Sequence, residues 1–101
     1  MAAVTASITA QKTFTDKIQV IGHFNLSISG TWAATVTVQR SWNGTDWFDV
    51  DTFTSNYEGV GFDAEEIWYR VGVKTGDFTS GTVVVRLSEN RDYNSKTVFL
   101  A

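Results

Sequence analysis

The sequence predicts an all-β fold, an antiparallel β-sandwich (Ig-like or jelly-roll-like) of about seven to eight short strands. Three observations predict it. Apolar residues recur with a period of two through most of the chain, the spacing of side chains on one face of a strand. The apolar runs are rich in β-branched residues and end at Gly, Asn, Asp or Ser. No segment carries the apolar spacing of an amphipathic helix.

Taken in order, "MAAVTASITA" (1–10) reads as a flexible arm that orders on contact, with Ser7–Ala10 a weak strand candidate. Lys17–Ile21 is a second weak candidate, ending at a turn over Gly22-His23. "FNLSIS" sets Phe24, Leu26 and Ile28 on one face against Asn25, Ser27 and Ser29, and a turn is expected at Ser29-Gly30-Thr31. "ATVTVQRS" points Val36 and Val38 inward and Thr35, Thr37 and Gln39 outward. "EIWYRVGVK" alternates Ile67, Tyr69, Val71 and Val73 with Trp68, Arg70, Gly72 and Lys74. "GTVVVRLSE" does the same with Val83, Val85 and Leu87.

Between these strong runs lie Trp47–Thr54 and Tyr57–Gly61, with breaks at Asn43-Gly44, Ser55-Asn56 and Lys74–Gly81. Trp47–Thr54 departs from simple alternation. Trp47 and Phe53 share one face, Phe48 and Val50 the other. A β-bulge is the favoured reading, and a covered outer face the alternative. "GFDAEEIW" has room for one turn of helix at most. The closing "SKTVFLA" reads equally as a last strand or as an arm docking on a neighbouring subunit through Val98, Phe99 and Leu100. The 101 residues make one domain, with arms at 1–10 and 92–101.

Composition narrows the function classes. The chain is 43% hydrophobic and 14% aromatic, enough for a packed core. It has no cysteine, hence no disulfide or thiolate metal site, and no proline, so its turns depend on Gly, Asn, Asp and Ser. A net charge of −3 with scattered basic residues argues against nucleic acid as a partner. No apolar run is long enough for a membrane-spanning helix, and the first residues lack the basic start of a signal peptide.

The residues point to no enzyme, cofactor or metal. His23, the one histidine, has no sequence neighbour marking a nucleophile–base pair or a zinc site. "NGTDWFDVD" gathers Asn43, Asp46, Asp49 and Asp51 but lacks the spacing and closing Glu of a calcium loop. The sequons at Asn25 and Asn43 matter only with secretion. Of the tryptophans, Trp47 and Trp68 read as packing residues, with Trp47 fixing a hairpin whose Asn-Gly turn suits type I′, in a loop with room for more than two residues. Trp32 and Trp42 lie next to turns and are the candidates for an exposed interface.

Two segments, "SGTWAATVTVQRSWNGTDWFDVDTFT" and "IWYRVGVKTGDFTSGTVVVRLS", resemble small β-sandwich virion proteins of tailed bacteriophages. The likeness lies in the Gly-Thr that begins a strand, "VTVQRS", the Asn-Gly turn followed by Trp47, the segment from Tyr69 through Thr82, and the final "VVVRLS" strand. It implies a virion protein assembled in the bacterial cytoplasm, most simply a capsid decoration or cement protein that binds and stabilises the assembled head. Its partners would be the major capsid protein or other virion proteins, and it would be a homo-oligomer, by analogy a trimer. Interface candidates are Trp32, Trp42, Val98, Phe99 and Leu100. A head–tail, tail or fibre component is the alternative within structural proteins, and a carbohydrate-binding module for host attachment the alternative outside them.

Overall fold

The computed structural model describes residues 2–89. Their fold is all-β, with seven strands: β1 (Ala2–Ile8), β2 (Thr13–Phe14), β3 (Ile18–Ala34), β4 (Val36–Ser41), β5 (Phe48–Phe53), β6 (Tyr57–Val73) and β7 (Phe78–Glu89). All pairings are antiparallel, in the order β1-β7-β3-β6-β4-β5, with β2 paired to the end of β6.

The hydrogen bonding never breaks into two sheets. One sheet folds over on itself because β3 and β6 are long and bend together. Their register runs from Ile18↔Tyr69 to Val20↔Ile67, slips, and resumes at Gly22↔Asp63. The slip sets Ile21 against Ala64, Glu65 and Glu66, an irregular bulge, and bulges bend strands. Beyond it, β3 and the first half of β6 join β7 and β1 in one layer. Before it, the second half of β6 joins β4 and β5 in the other. Ile8, Ile28, Val83, Val85 and Leu87 of the first layer are fully buried in one cluster with Val36, Ile67, Val71 and Val73 of the second. Each such aliphatic side chain contributes on the order of 1.5–3 kcal/mol. The smallest extent of the molecule, 17 Å, suits two layers.

Several expected breaks are absorbed into strands. Gly22-His23 and Ser29-Gly30-Thr31 lie inside β3 rather than at turns. Gly30 has φ of 102° and passes so close to β7 that a Cβ would collide with the carbonyl oxygen of Thr82. A turn and a kinked strand ask for the same glycine, so local sequence cannot separate them. "GFDAEEIW" is the bend of β6, not helix. The irregularity in Trp47–Thr54 is a bulge: Val38 faces Asp51 and Gln39 faces Asp49, leaving Val50 unpaired. Within the segment read as an arm, Ala2–Ile8 pairs along its whole length with β7. Val98, Phe99 and Leu100 lie outside the described residues.

Candidate functional site

The tip of the β4–β5 hairpin is not a two-residue type I′ turn. The strands end at Ser41 and resume at Phe48, and only Gly44 takes positive φ, at 78°. Asn43 instead clasps the loop with its side chain. Its Oδ1 accepts from the backbone amides of Thr45 (2.8 Å) and Asp46 (2.9 Å), and its Nδ2 donates to Asp46 Oδ2 (2.9 Å). Ser41 Oγ accepts from the Gly44 amide at 2.8 Å. This is the local bonding that makes Asn favourable in turns. Gly44 is buried against Trp68: a Cβ there would lie 3.3 Å from the indole nitrogen and 3.0 Å from Lys17 Nζ. Lys17 Nζ stacks over the Trp68 ring at 5.0 Å and donates to the Gly44 carbonyl at 3.3 Å.

The clasp leaves Trp42 outside. Its side chain is 59% exposed, with the Arg40 guanidinium 5.0 Å from the ring centroid. Trp32, the other interface candidate of the described region, is half-buried, and its Nε1 donates to Asn56 Oδ1 at 2.7 Å. Asn56 in turn donates to the Gly30 carbonyl at 3.1 Å, so Trp32 pins the β5–β6 turn onto β3.

Trp47 packs on the outer face of the second layer rather than between the layers. Arg70 lies between its ring (4.4 Å) and that of Phe14 (4.2 Å). Arg70 Nε donates to Gln39 Oε1 (2.8 Å), Gln39 Nε2 to Asp49 Oδ1 (2.8 Å), and Lys74 Nζ to Asp49 Oδ2 (2.7 Å). Burial pulls the Arg70 pKa down, while the hydrogen bond from Lys74 holds the Asp49 carboxyl below its ordinary value. This cover explains why Thr37 and Gln39, though outward-facing, are buried.

Where β6 bends, Asp63 Oδ2 accepts from Arg40 Nη2 and from the Tyr69 hydroxyl, both at 2.8 Å. Burial, then the hydrogen bond to Asp63, pushes the Tyr69 phenol up to about 12. The carboxylates of "NGTDWFDVD" do not converge. Asp46 bonds Asn43, Asp49 bonds Gln39 and Lys74, and Asp51 accepts from the Thr52 amide. Among the described residues no three His, Cys, Asp or Glu lie together as metal ligands would. His23 stacks on Phe62, ring centroids 5.0 Å apart.

A second surface had no clear signal in the sequence. Among the described residues the sandwich is open along one side, between the outer edge of β5 and the first half of β6. Tyr57–Asp63 pairs with β3 on one edge and with no described strand on the other. Val50, Phe53, Tyr57 and Val60 rim a groove floored by Phe24, Val38 and Tyr69, and the Phe53 and Tyr57 rings bridge its rim with centroids 4.5 Å apart. Val60 and Phe62 are 65% and 60% exposed. A hint lies in "YEGVGFD", where Gly59 and Gly61 leave the inward face without side chains while Val60 and Phe62 alternate outward. Comparison with family models, with curated proteins and with solved structures gives no match for this chain.

Proposed function

We propose that this chain is a structural protein of a tailed-bacteriophage virion, a capsid decoration or cement protein that binds the assembled head through Trp42. The sequence resemblance supplies the virion setting. The observation that carries the contact is a tryptophan 59% exposed on a loop whose backbone is clasped by Asn43 and Ser41. A rigid, solvent-facing indole loses little entropy on docking and buries a large area, which is why Trp dominates protein interfaces. Homo-oligomeric assembly, with many copies on a symmetric head, lets such small contacts act together.

The test is co-sedimentation of the full chain with preassembled heads. Trp42→Ala is expected to weaken binding by roughly thirtyfold, the loss of about 2 kcal/mol typical of a hot-spot tryptophan, while near-ultraviolet circular dichroism shows the fold retained. Binding that is unchanged in the variant overturns the assignment of Trp42. Absence of any binding by the parent protein overturns the capsid reading. An exposed indole beside Arg40 also suits stacking on a sugar ring, the reading of a carbohydrate-binding module for host attachment. Glycan-array binding that disappears with Trp42→Ala would favour that reading instead.

A further inference from the structure

Two sheet edges meet at the open side of the sandwich, and neither has a partner among the described residues: β5, and Tyr57–Asp63 of β6. The two ends of the β6 edge differ. At the Tyr57 end the ring of Phe53 closes over the rim, its centroid 4.5 Å from that of Tyr57. Beyond this bridge Val60 and Phe62 stand on the outer face beside Asn25 and His23. Val50 of β5 lines the same groove as Val60 and Phe62. Phe48 continues the apolar line along β5 opposite Arg40, whose guanidinium reaches Asp63. Phe48, Val50, Val60 and Phe62 are all exposed.

We propose that this edge pairs with the same edge of a second copy of the chain, antiparallel about a twofold axis at Gly61, so that one layer of the sandwich continues across a dimer. The inference goes beyond the virion reading: it rests on the edge and holds whatever the chain binds. Three observations select a second copy. The first is self-complementarity, which a twofold contact requires. Directly opposed residues of an antiparallel pair share one face of the sheet. An axis at Gly61 sets Val60 opposite Phe62 of the second copy, and the reverse, giving two aromatic–β-branched pairs of the kind that stabilise sheets. This register pairs Gly59 with Asp63 and stops short of Tyr57, so the Phe53–Tyr57 ring contact is undisturbed. On the inner face Gly59 and Gly61 carry no side chain, and the rings of Tyr57 and Phe24 lie over them, so that side of the edge is apolar too.

The second is charge. Edges that stay single are commonly guarded by Lys or Pro, and Tyr57–Asp63 has neither. Its two carboxylates are already engaged: Asp63 accepts from Arg40 and Tyr69, and Glu58 from Ser27. The register above leaves Glu58 outside the paired stretch, so two copies meet without like charges opposed. The third is area. From their fractional exposures, and about 150–250 Å² for a whole aromatic side chain, Phe48, Val50, Val60 and Phe62 present roughly 400 Å². A standard interface takes about 800 Å² per partner, of which about 60% is apolar. The patch thus supplies most of the apolar surface that one copy brings to such an interface, and the strand edge adds backbone hydrogen bonds.

The test is sedimentation velocity of the full chain, without heads, over a concentration series through the micromolar range, with hydrogen–deuterium exchange followed on peptides covering residues 57–63. The parent chain should pass from monomer to dimer, and exchange in 57–63 should slow at least about tenfold as the dimer fills. Val60→Asp sets a carboxylate opposite Phe62 twice in each dimer and should weaken dimerisation at least about a hundredfold. Val84→Asp, at an exposed position of β7 away from this edge, should dimerise like the parent. Near-ultraviolet circular dichroism checks that both variants keep the fold. A parent chain that is monomeric throughout overturns the proposal, as does a trimer, or a dimer untouched by Val60→Asp. Slow exchange in 57–63 of a chain that sediments as a monomer overturns it too, since the chain then covers its own edge. No heads are present in any arm, so failure here is distinguishable from failure of the capsid reading.

Discussion

The Tyr69 hydroxyl donates to Asp63 Oδ2 across 2.8 Å, joining two residues of one strand that stand on either side of its bend. Arg40 of β4 bonds the same oxygen, so the corner where the sheet folds over is tied by a three-residue cluster. Tyr69→Phe removes one bond and leaves Asp63 with Arg40. The expected cost is about 1–2 kcal/mol in urea unfolding.

The same pair sets an alkaline limit. Tyr69 has a folded-state pKa raised from 10.0 to about 12, so the neutral phenol is the form the fold favours. Its contribution is fully present below pH 10 and is lost as the pH rises through 12. The parent protein should lose unfolding free energy across that window. Tyr69→Phe should lose less, and equal slopes would refute the assignment.

Arg70 is held by stacking on Phe14 and Trp47 and by its bond to Gln39. Arg70→Ala uncovers both rings and breaks the link that continues to Asp49. We expect a loss of about 2 kcal/mol in stability and a red-shifted tryptophan emission as Trp47 gains water. An unchanged emission maximum would show that Trp47 does not depend on Arg70.

Asn43→Ala takes away the acceptor for the amides of Thr45 and Asp46. It should cost about 1–2 kcal/mol and loosen the tip without changing the contact chemistry of Trp42. The consequence to measure is head binding. It should weaken even though Trp42 is present, because the indole must then be ordered on docking.

Gly30→Ala tests the kink inside β3. Its φ of 102° is strained for any L side chain, and the added methyl meets the Thr82 carbonyl. Destabilisation of about 2–4 kcal/mol by thermal unfolding is expected, with β3 and β7 forced apart. A loss under about 1 kcal/mol would mean the strands separate at little cost.

The apolar alternation of Phe24–Ile28, Ile67–Val73 and Val83–Leu87 was legible because period two depends only on backbone geometry. The bulge opposite Val38 was legible from the broken alternation around Phe48 and Val50. Trp42 was legible as exposed because it neighbours a turn. Trp47 was not placed correctly. Its partner Arg70 is far away in sequence, and a ring covering a guanidinium looks locally like a ring entering a core. The groove escaped for the same reason, since its lips come from β5 and β6 and its floor from β3, β4 and the far half of β6.

By itself the sequence determined the all-β class, which residues of the strongly alternating runs face inward and where backbone freedom is required, because these follow from side-chain alternation and from the conformational limits of each residue type. Only the tertiary structure decided what each glycine was for and which edges have no partner among the described residues. Gly22 and Gly30 lie within a continuous strand rather than a turn, since β6 and β7 supply partners on either side of β3 to carry it through. The joint bend of β3 and β6 then divides one sheet into two layers and, among the described residues, leaves one side open. No local window holds both strands of that bend, and so no local window reveals the groove.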